Sequence, residues 1–323
     1  MKPDIDALLA GIESGDRKML ARAITLVESS RASDFEAVVQ LLDELHRKAP
    51  ARPSIRIGVT GVPGVGKSTF LDTFGEHLTE QGLSVAVLAI DPTSSQSGGS
   101  ILGDKTRMER LSRNPQAFIR PTPAGLHPGG IARRTREAIV VCEAAGFDVI
   151  LVETVGIGQS EVSVSSIVDT VILLMLAGAG DDLQGIKRGI MEVADLVVMH
   201  KADGDNELAA QAAATELANV IHLLPRRSPD WQTNVGTCSS LTGHGIAETF
   251  SQVRAHRAAL GDEEILKARR EQDLEGFEAT VRGMVVDHFM GHPGRSERLG
   301  QIRDEVREGR LHPTAAAARL LAE

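Results

Sequence analysis

The chain has 323 residues, 42% hydrophobic and 24% charged, with 32 glycines, eight phenylalanines, one tryptophan and no tyrosine. That length suffices for a buried core and for about two domains, or one large α/β domain with extensions, and the composition excludes intrinsic disorder and collagen-like repeats. A formal net charge of −9 argues against general binding to nucleic acid or to anionic membrane.

Residues 1–50 read as a helical segment, with Leu8, Leu9, Ile12, Leu20, Ala23, Ile24 and Val27 at helical spacing before Pro50 and Pro53. Met1–Asp6 lacks the charged-then-apolar pattern of a leader, and no apolar run approaches membrane-spanning length. Cys142 and Cys238 make neither a metal-spaced pair nor a disulfide framework. The expectation is a cytoplasmic protein that binds neither nucleic acid nor membrane.

From 51 to 255, strand-like runs alternate with helical patterns. Strands are predicted at Ile55–Thr60, Ser84–Ile90, Asp148–Glu153, Thr170–Leu176 and Asp195–His200. Helices are predicted over 67–81 and around 131–145, 185–194 and 205–222. Apolar strands between helices predict an α/β fold with a mostly parallel, doubly wound sheet, whose ligands bind beyond the carboxyl ends of the strands.

The residues at those ends carry the chemistry. Gly61-Val62-Pro63-Gly64-Val65-Gly66-Lys67-Ser68, after the first strand, is a phosphate-binding loop of the form G-x-x-x-x-G-K-[ST]. Its glycines let backbone N–H groups turn toward phosphates, Lys67 reaches the β and γ oxygens, and the Ser68 hydroxyl suits Mg²⁺. Lys67, Ser68 and Thr69 open a helix whose positive end faces the same anions. Asp91 opens the polar, glycine-rich stretch to Met108, in which Asp91 and Asp104 are candidate contacts to water or Mg²⁺; Asp104 also suits a helix cap. Glu153 ends the third strand and precedes Thr154-Val155-Gly156, a variant of the Asp-x-x-Gly switch. Glu153 then serves Mg²⁺ through water, and the Gly156 N–H the γ-phosphate. Small regulatory GTPases carry a water-orienting Gln directly after this glycine. Here Ile157 stands there and Gln159 follows two positions on, which predicts slow hydrolysis that a partner accelerates. A further polar loop, 177–187, holds Asp181, Asp182, Gln184 and Lys187, suited to sensing the nucleotide or touching a partner.

His200-Lys201-Ala202-Asp203 stands where GTP-binding folds carry Asn-Lys-x-Asp. An Asp carboxylate accepts from guanine N1–H and the 2-amino group, whereas adenine would leave it unpaired. Two such charged hydrogen bonds, each roughly 1.5–3 kcal/mol, decide the base. His200 departs from the Asn that braces the phosphate loop. Ser239 and Ser240, ahead of Gly243 and Gly245, resemble the loop whose backbone reads the guanine carbonyl. From 256 to 323 the pattern is helical only, and Leu274, Phe277, Val281, Met284, Val285, His288 and Phe289 form one stripe. That stripe suits either packing on the chain's own core or a dimerisation arm.

Together, the phosphate loop, Asp91–Met108, Glu153–Glu161, Gly178–Lys187 and Lys201–Asp203 resemble the MeaB-type GTPases, chaperones of adenosylcobalamin-dependent acyl-CoA mutases that include methylmalonyl-CoA mutase. The resemblance runs from about Leu20 to the C-terminal helices. It implies a homodimeric P-loop GTPase with Lys67, Asp91, Asp104 and Glu153 at the reaction centre. It also implies gating of cobalamin delivery to the mutase, with 177–188 as the family's particular switch loop. Leu126-His127-Pro128 departs from the turn expected there, which points to a mutase partner that is either methylmalonyl-CoA mutase or a divergent relative. The alternatives are a P-loop small-molecule kinase, a nickel-insertion GTPase and a nucleotide-binding scaffold. Ten scattered histidines and two cysteines speak against the nickel reading, and Asp203 against the kinase.

Overall fold

The computed structural model describes residues 3–48, 53–91, 108–123, 128–154, 164–178, 188–222, 228–292 and 294–322. Contacts divide the chain into two units, Met1–Asp273 and Leu274–Glu323.

The first unit begins with α1 (Ile5–Glu13), α2 (Arg17–Val27) and α3 (Phe35–Arg47). Asp4 and Asp16 start the first two helices by accepting backbone N–H bonds from Ala7, and from Lys18 and Met19. The helical stripe seen in the sequence, Leu8 through Val27, is buried. It packs with Ala138, Ile139 and Cys142 of a later helix on one face of the sheet.

The sheet has seven strands: β1 (Ile55–Gly61), β2 (Val85–Asp91), β3 (Ala117–Pro123), β4 (Val149–Glu153), β5 (Thr170–Leu176), β6 (Leu196–His200) and β7 (Asn234–Thr237). Their order is β3-β2-β4-β1-β5-β6-β7, and every pairing is parallel. Both faces are covered, so β4 and β6 are buried along their whole length; this is why their sequences read as unbroken apolar runs.

Helices α4 (Lys67–Glu80), α5 (Glu109–Arg113), α6 (Pro128–Ala144), α7 (Arg188–Val193) and α8 (Glu207–Ile221) connect the strands. Phe70, Phe74 and Leu78 of α4 pack on the second face, with Phe250 and Val253 from α9 (Ile246–Met290). α9 runs through position 255 and departs from helical geometry at Gly261, where φ is 75° and ψ 158°. The arrangement is the doubly wound P-loop architecture that the alternation of strands and helices predicts.

Two strands differ from the sequence expectation. β3 contains Pro121 and Pro123, and β7 is four residues long with a half-exposed pattern. Both are edge strands, where a missing N–H is tolerated and one side is unpaired. In the second unit, α10 (Arg295–Arg307) and α11 (Pro313–Ala322) are joined by an Arg295 Nη1 bond to the Leu320 carbonyl at 3.0 Å. Among the described residues no helix is long and apolar enough to cross a membrane.

Candidate functional site

The motifs that fall among the described residues sit at the carboxyl ends of the strands, on one rim of the sheet. Gly61 ends β1, Asp91 β2, Glu153 β4 and His200 β6. The phosphate loop turns from β1 into α4. Gly66 caps the helix with φ at 99°, and a Cβ there would stand 2.8 Å from the His200 ring. Glycine is therefore required at this position twice over, by its left-handed backbone and by its close neighbour.

Lys67 Nζ donates to the Gly61 carbonyl at 2.8 Å and lies 3.3 Å from the Val62 carbonyl, so its ammonium is held over the loop. Ser68 Oγ donates to Glu153 Oε1 at 2.9 Å. Thr69 is exposed in the first turn of α4, and Val65 is buried beneath the loop. Glu153 is itself buried, and the next residue, Thr154, is tied back to β1 by a 2.9 Å bond to Thr60 Oγ1. A buried carboxylate and a hydroxyl thus converge beside the lysine. Both are hard oxygen donors, the chemistry that Mg²⁺ takes, with substrate oxygens and water completing its shell.

The base motif joins this loop through His200. The residue is 2% exposed. Its Nδ1 lies 2.7 Å from the Val65 carbonyl and its Nε2 2.7 Å from Ser240 Oγ. A carbonyl only accepts, so Nδ1 carries the proton, and Nε2 accepts from the serine. Burial holds the ring's pKa below the ordinary histidine value, partly countered by the Val65 bond. The neutral imidazole therefore spans the phosphate loop and the serine loop.

Lys201 stands in the left-handed region at φ 58°, the one non-glycine residue with positive φ among those described. Its Nζ donates to the Gly64 carbonyl at 2.9 Å, which lays the aliphatic stem beside the loop. Asp203 Oδ2 accepts from Ser239 Oγ at 2.5 Å. Ser239 Oγ in turn accepts the amides of Leu241 and Thr242, both at 3.2 Å. The predicted base residues Lys201, Asp203, Ser239 and Ser240 and the predicted phosphate residues Gly61 through Thr69 are thereby brought together.

Asp91 is placed by its backbone as the last residue of β2. Asp104, Gly156, Asp181, Asp182, Gln184 and Lys187 lie outside the described residues, as do His127, Ile157 and Gln159. Among the described residues no group of three or more His, Cys, Asp or Glu side chains is arranged to hold a metal ion. Two residues at the site escaped the sequence reading: Thr73, bonded to the Ser240 carbonyl, and Arg110, bonded to Thr73. Neither belongs to a short motif, and each is far in sequence from the loop it serves.

The profile of a family described as "Methylmalonyl Co-A mutase-associated GTPase MeaB" matches residues 20–294. A protein of Mycobacterium tuberculosis named a probable GTPase is 48% identical over 318 residues, covering 98% of this chain and 94% of that one. The mouse protein named methylmalonic aciduria type A homolog, mitochondrial, is 44% identical over 326 residues, covering 98% of this chain and 79% of the relative. Among solved structures, one titled as a LAO/AO transport system kinase superposes with a TM-score of 0.75 at 36% identity, covering 98% of this chain and 96% of that one. With the phosphate loop, the base motif and the sheet that aligns them, these likenesses place the chain in the MeaB family of methylmalonyl-CoA mutase-associated GTPases.

Proposed function

We propose that this GTPase is a chaperone of an adenosylcobalamin-dependent acyl-CoA mutase, methylmalonyl-CoA mutase or a close relative. It gates cobalamin loading and protects or reactivates the mutase. The observation that carries the guanine-nucleotide part is the joining of the base motif to the phosphate loop through His200, with Asp203 aligned by Ser239. The mutase part rests on the family and on the name of the mouse relative.

The residues then take the following roles. Gly61, Gly64, Val65, Gly66 and Thr69 offer backbone N–H groups and the helix start to the phosphates, and Lys67 turns from its loop carbonyls to the β and γ oxygens. Ser68 and Glu153, with Asp91 and Asp104, would hold Mg²⁺ directly or through water. A Mg²⁺ ion held there would supply positive charge against the negative charge that develops on the phosphate oxygens. Water attacks the γ-phosphorus, the β–γ bridging P–O bond breaks toward GDP, and the water proton leaves to phosphate or solvent. Lys201 covers the base, Asp203 reads its N1–H and 2-amino edge, and Ser240 its carbonyl. Gly156 senses the γ-phosphate. Asp181, Asp182, Gln184 and Lys187 respond to the nucleotide or the mutase. The chain acts in the cytoplasm, as a homodimer built on the C-terminal arm, with 1–50, 51–255 and 256–323 as helical segment, GTPase domain and arm.

The test is GTP turnover by the purified protein, alone and with a cobalamin-loaded acyl-CoA mutase. Slow hydrolysis alone, raised at least about tenfold by the mutase and abolished in Lys67→Ala, is expected. Fast turnover that the mutase leaves unchanged would contradict the chaperone reading.

A further inference from the structure

The serine loop is also held from a side that no guanine-site motif contains. Thr73 lies in the second turn of α4 and is 8% exposed. Its Oγ1 donates to the Ser240 carbonyl at 3.1 Å and lies 3.3 Å from the Thr69 carbonyl. Arg110, in α5, donates from Nη2 to that same Oγ1 at 2.7 Å. A hydroxyl that accepts from a guanidinium keeps its own proton to give, and the charge strengthens the bond it makes.

Arg110 is fixed in turn. Its Nη1 is 2.9 Å from Glu76 Oε2 and its Nε 3.4 Å from Asp72 Oδ2. Asp72 Oδ1 accepts the Leu111 amide at 2.8 Å, which docks α5 on α4. The docking is close: a Cβ on Gly75 would stand 2.5 Å from Leu111 Cδ2. The guanidinium is thus held by two carboxylates while it bonds the threonine hydroxyl.

Ser240 is gripped twice. His200 holds its hydroxyl and Thr73 its carbonyl. Holding the hydroxyl and the carbonyl of one residue restricts how that residue, and with it its amide N–H, can move. We infer that Thr73, oriented by Arg110, is a positioning residue for guanine recognition that sets where the Ser240 amide meets the 6-oxo group of the base. This rests on the guanine-nucleotide reading of the site and names two residues that its motifs leave out.

The experiment is calorimetric titration of the full chain with GDP, ADP and 2-aminopurine riboside 5′-diphosphate, which keeps the 2-amino group of guanine but lacks the 6-oxo group and the N1–H that goes with it. Wild type is expected to prefer GDP over both. Thr73→Val, which keeps the shape and removes the hydroxyl, is expected to lose about tenfold in GDP affinity and nothing for the 2-aminopurine nucleotide. Thr73→Ser restores GDP binding to within about twofold of wild type. Arg110→Met, at a half-exposed side chain, loses about threefold for GDP alone. Unchanged GDP binding in Thr73→Val, or an equal loss for both nucleotides, would overturn the inference, and unchanged binding in Arg110→Met would overturn Arg110's part in it. Indifference of the wild type between GDP and ADP would instead sink the guanine reading itself, so the two failures are distinguishable.

Discussion

His200 concentrates what distinguishes this site. The sequence marks it as a departure from Asn, and the structure shows a buried ring bonded at both nitrogens. Burial disfavours its charged form, so the folded chain takes up this proton below the pH at which the unfolded chain does. The unfolded histidine protonates near its ordinary value of about 6.5, and the native state then loses stability as pH falls further. His200→Asn removes that titration. Between pH 7.5 and 5.5, unfolding free energy should fall more steeply in wild type than in the variant, by up to ~1.4 kcal/mol per pH unit below about pH 6.5. Parallel curves in chemical denaturation would show that the ring is not held neutral. At this scale the phosphate loop was legible, because each glycine and the lysine answer to local backbone need. The bond between His200 and Ser240 was not, because 40 residues separate them and only the sheet brings them together.

At the scale of elements, the buried strands were readable and the edges were not. β1, β4, β5 and β6 are apolar because both their faces are covered, whereas β3 and β7 combine prolines or polar residues with one unpaired side. An equally hidden feature lies at the opposite ends of the strands. Arg269, in α9 beyond the break at Gly261, donates to Asp169 at 2.7 and 2.6 Å and to the Ser54 carbonyl at 2.7 Å. It also lies 3.3 Å from Glu143, which Arg56 holds through two bonds of 2.8 Å. Burial pushes the Glu143 carboxyl up, but Arg56 and Arg269 outweigh it and hold the group below the usual carboxylate range. No local pattern announces this cluster, since its members come from β1, α6, α9 and the start of β5. Arg269→Met leaves Asp169 buried beside one remaining cation, Arg257, and is expected to cost ~3–5 kcal/mol. Urea unfolding measures it; a loss under about 1 kcal/mol would mean that Arg257 alone satisfies the carboxylate.

At the scale of the whole molecule, the sequence offered two fates for the C-terminal stripe. Leu274, Phe277 and Val285 are 58%, 63% and 62% exposed in the chain by itself. Apolar side chains at helical spacing and this exposure suit burial against a second copy. Phe277→Glu combined with Val285→Glu is therefore expected to convert a dimer into a monomer in sedimentation, with GDP affinity retained. A monomeric wild type would refute the arm's role. The central claim is that a base motif with His in place of Asn still selects guanine, and calorimetry with GDP and ADP in Mg²⁺, on wild type and Asp203→Ala, tests it most directly. The account predicts tight GDP binding by wild type, a large preference over ADP, and loss of at least about tenfold for GDP in the variant. Equal affinity for the two nucleotides, or GDP binding untouched by Asp203→Ala, would contradict it.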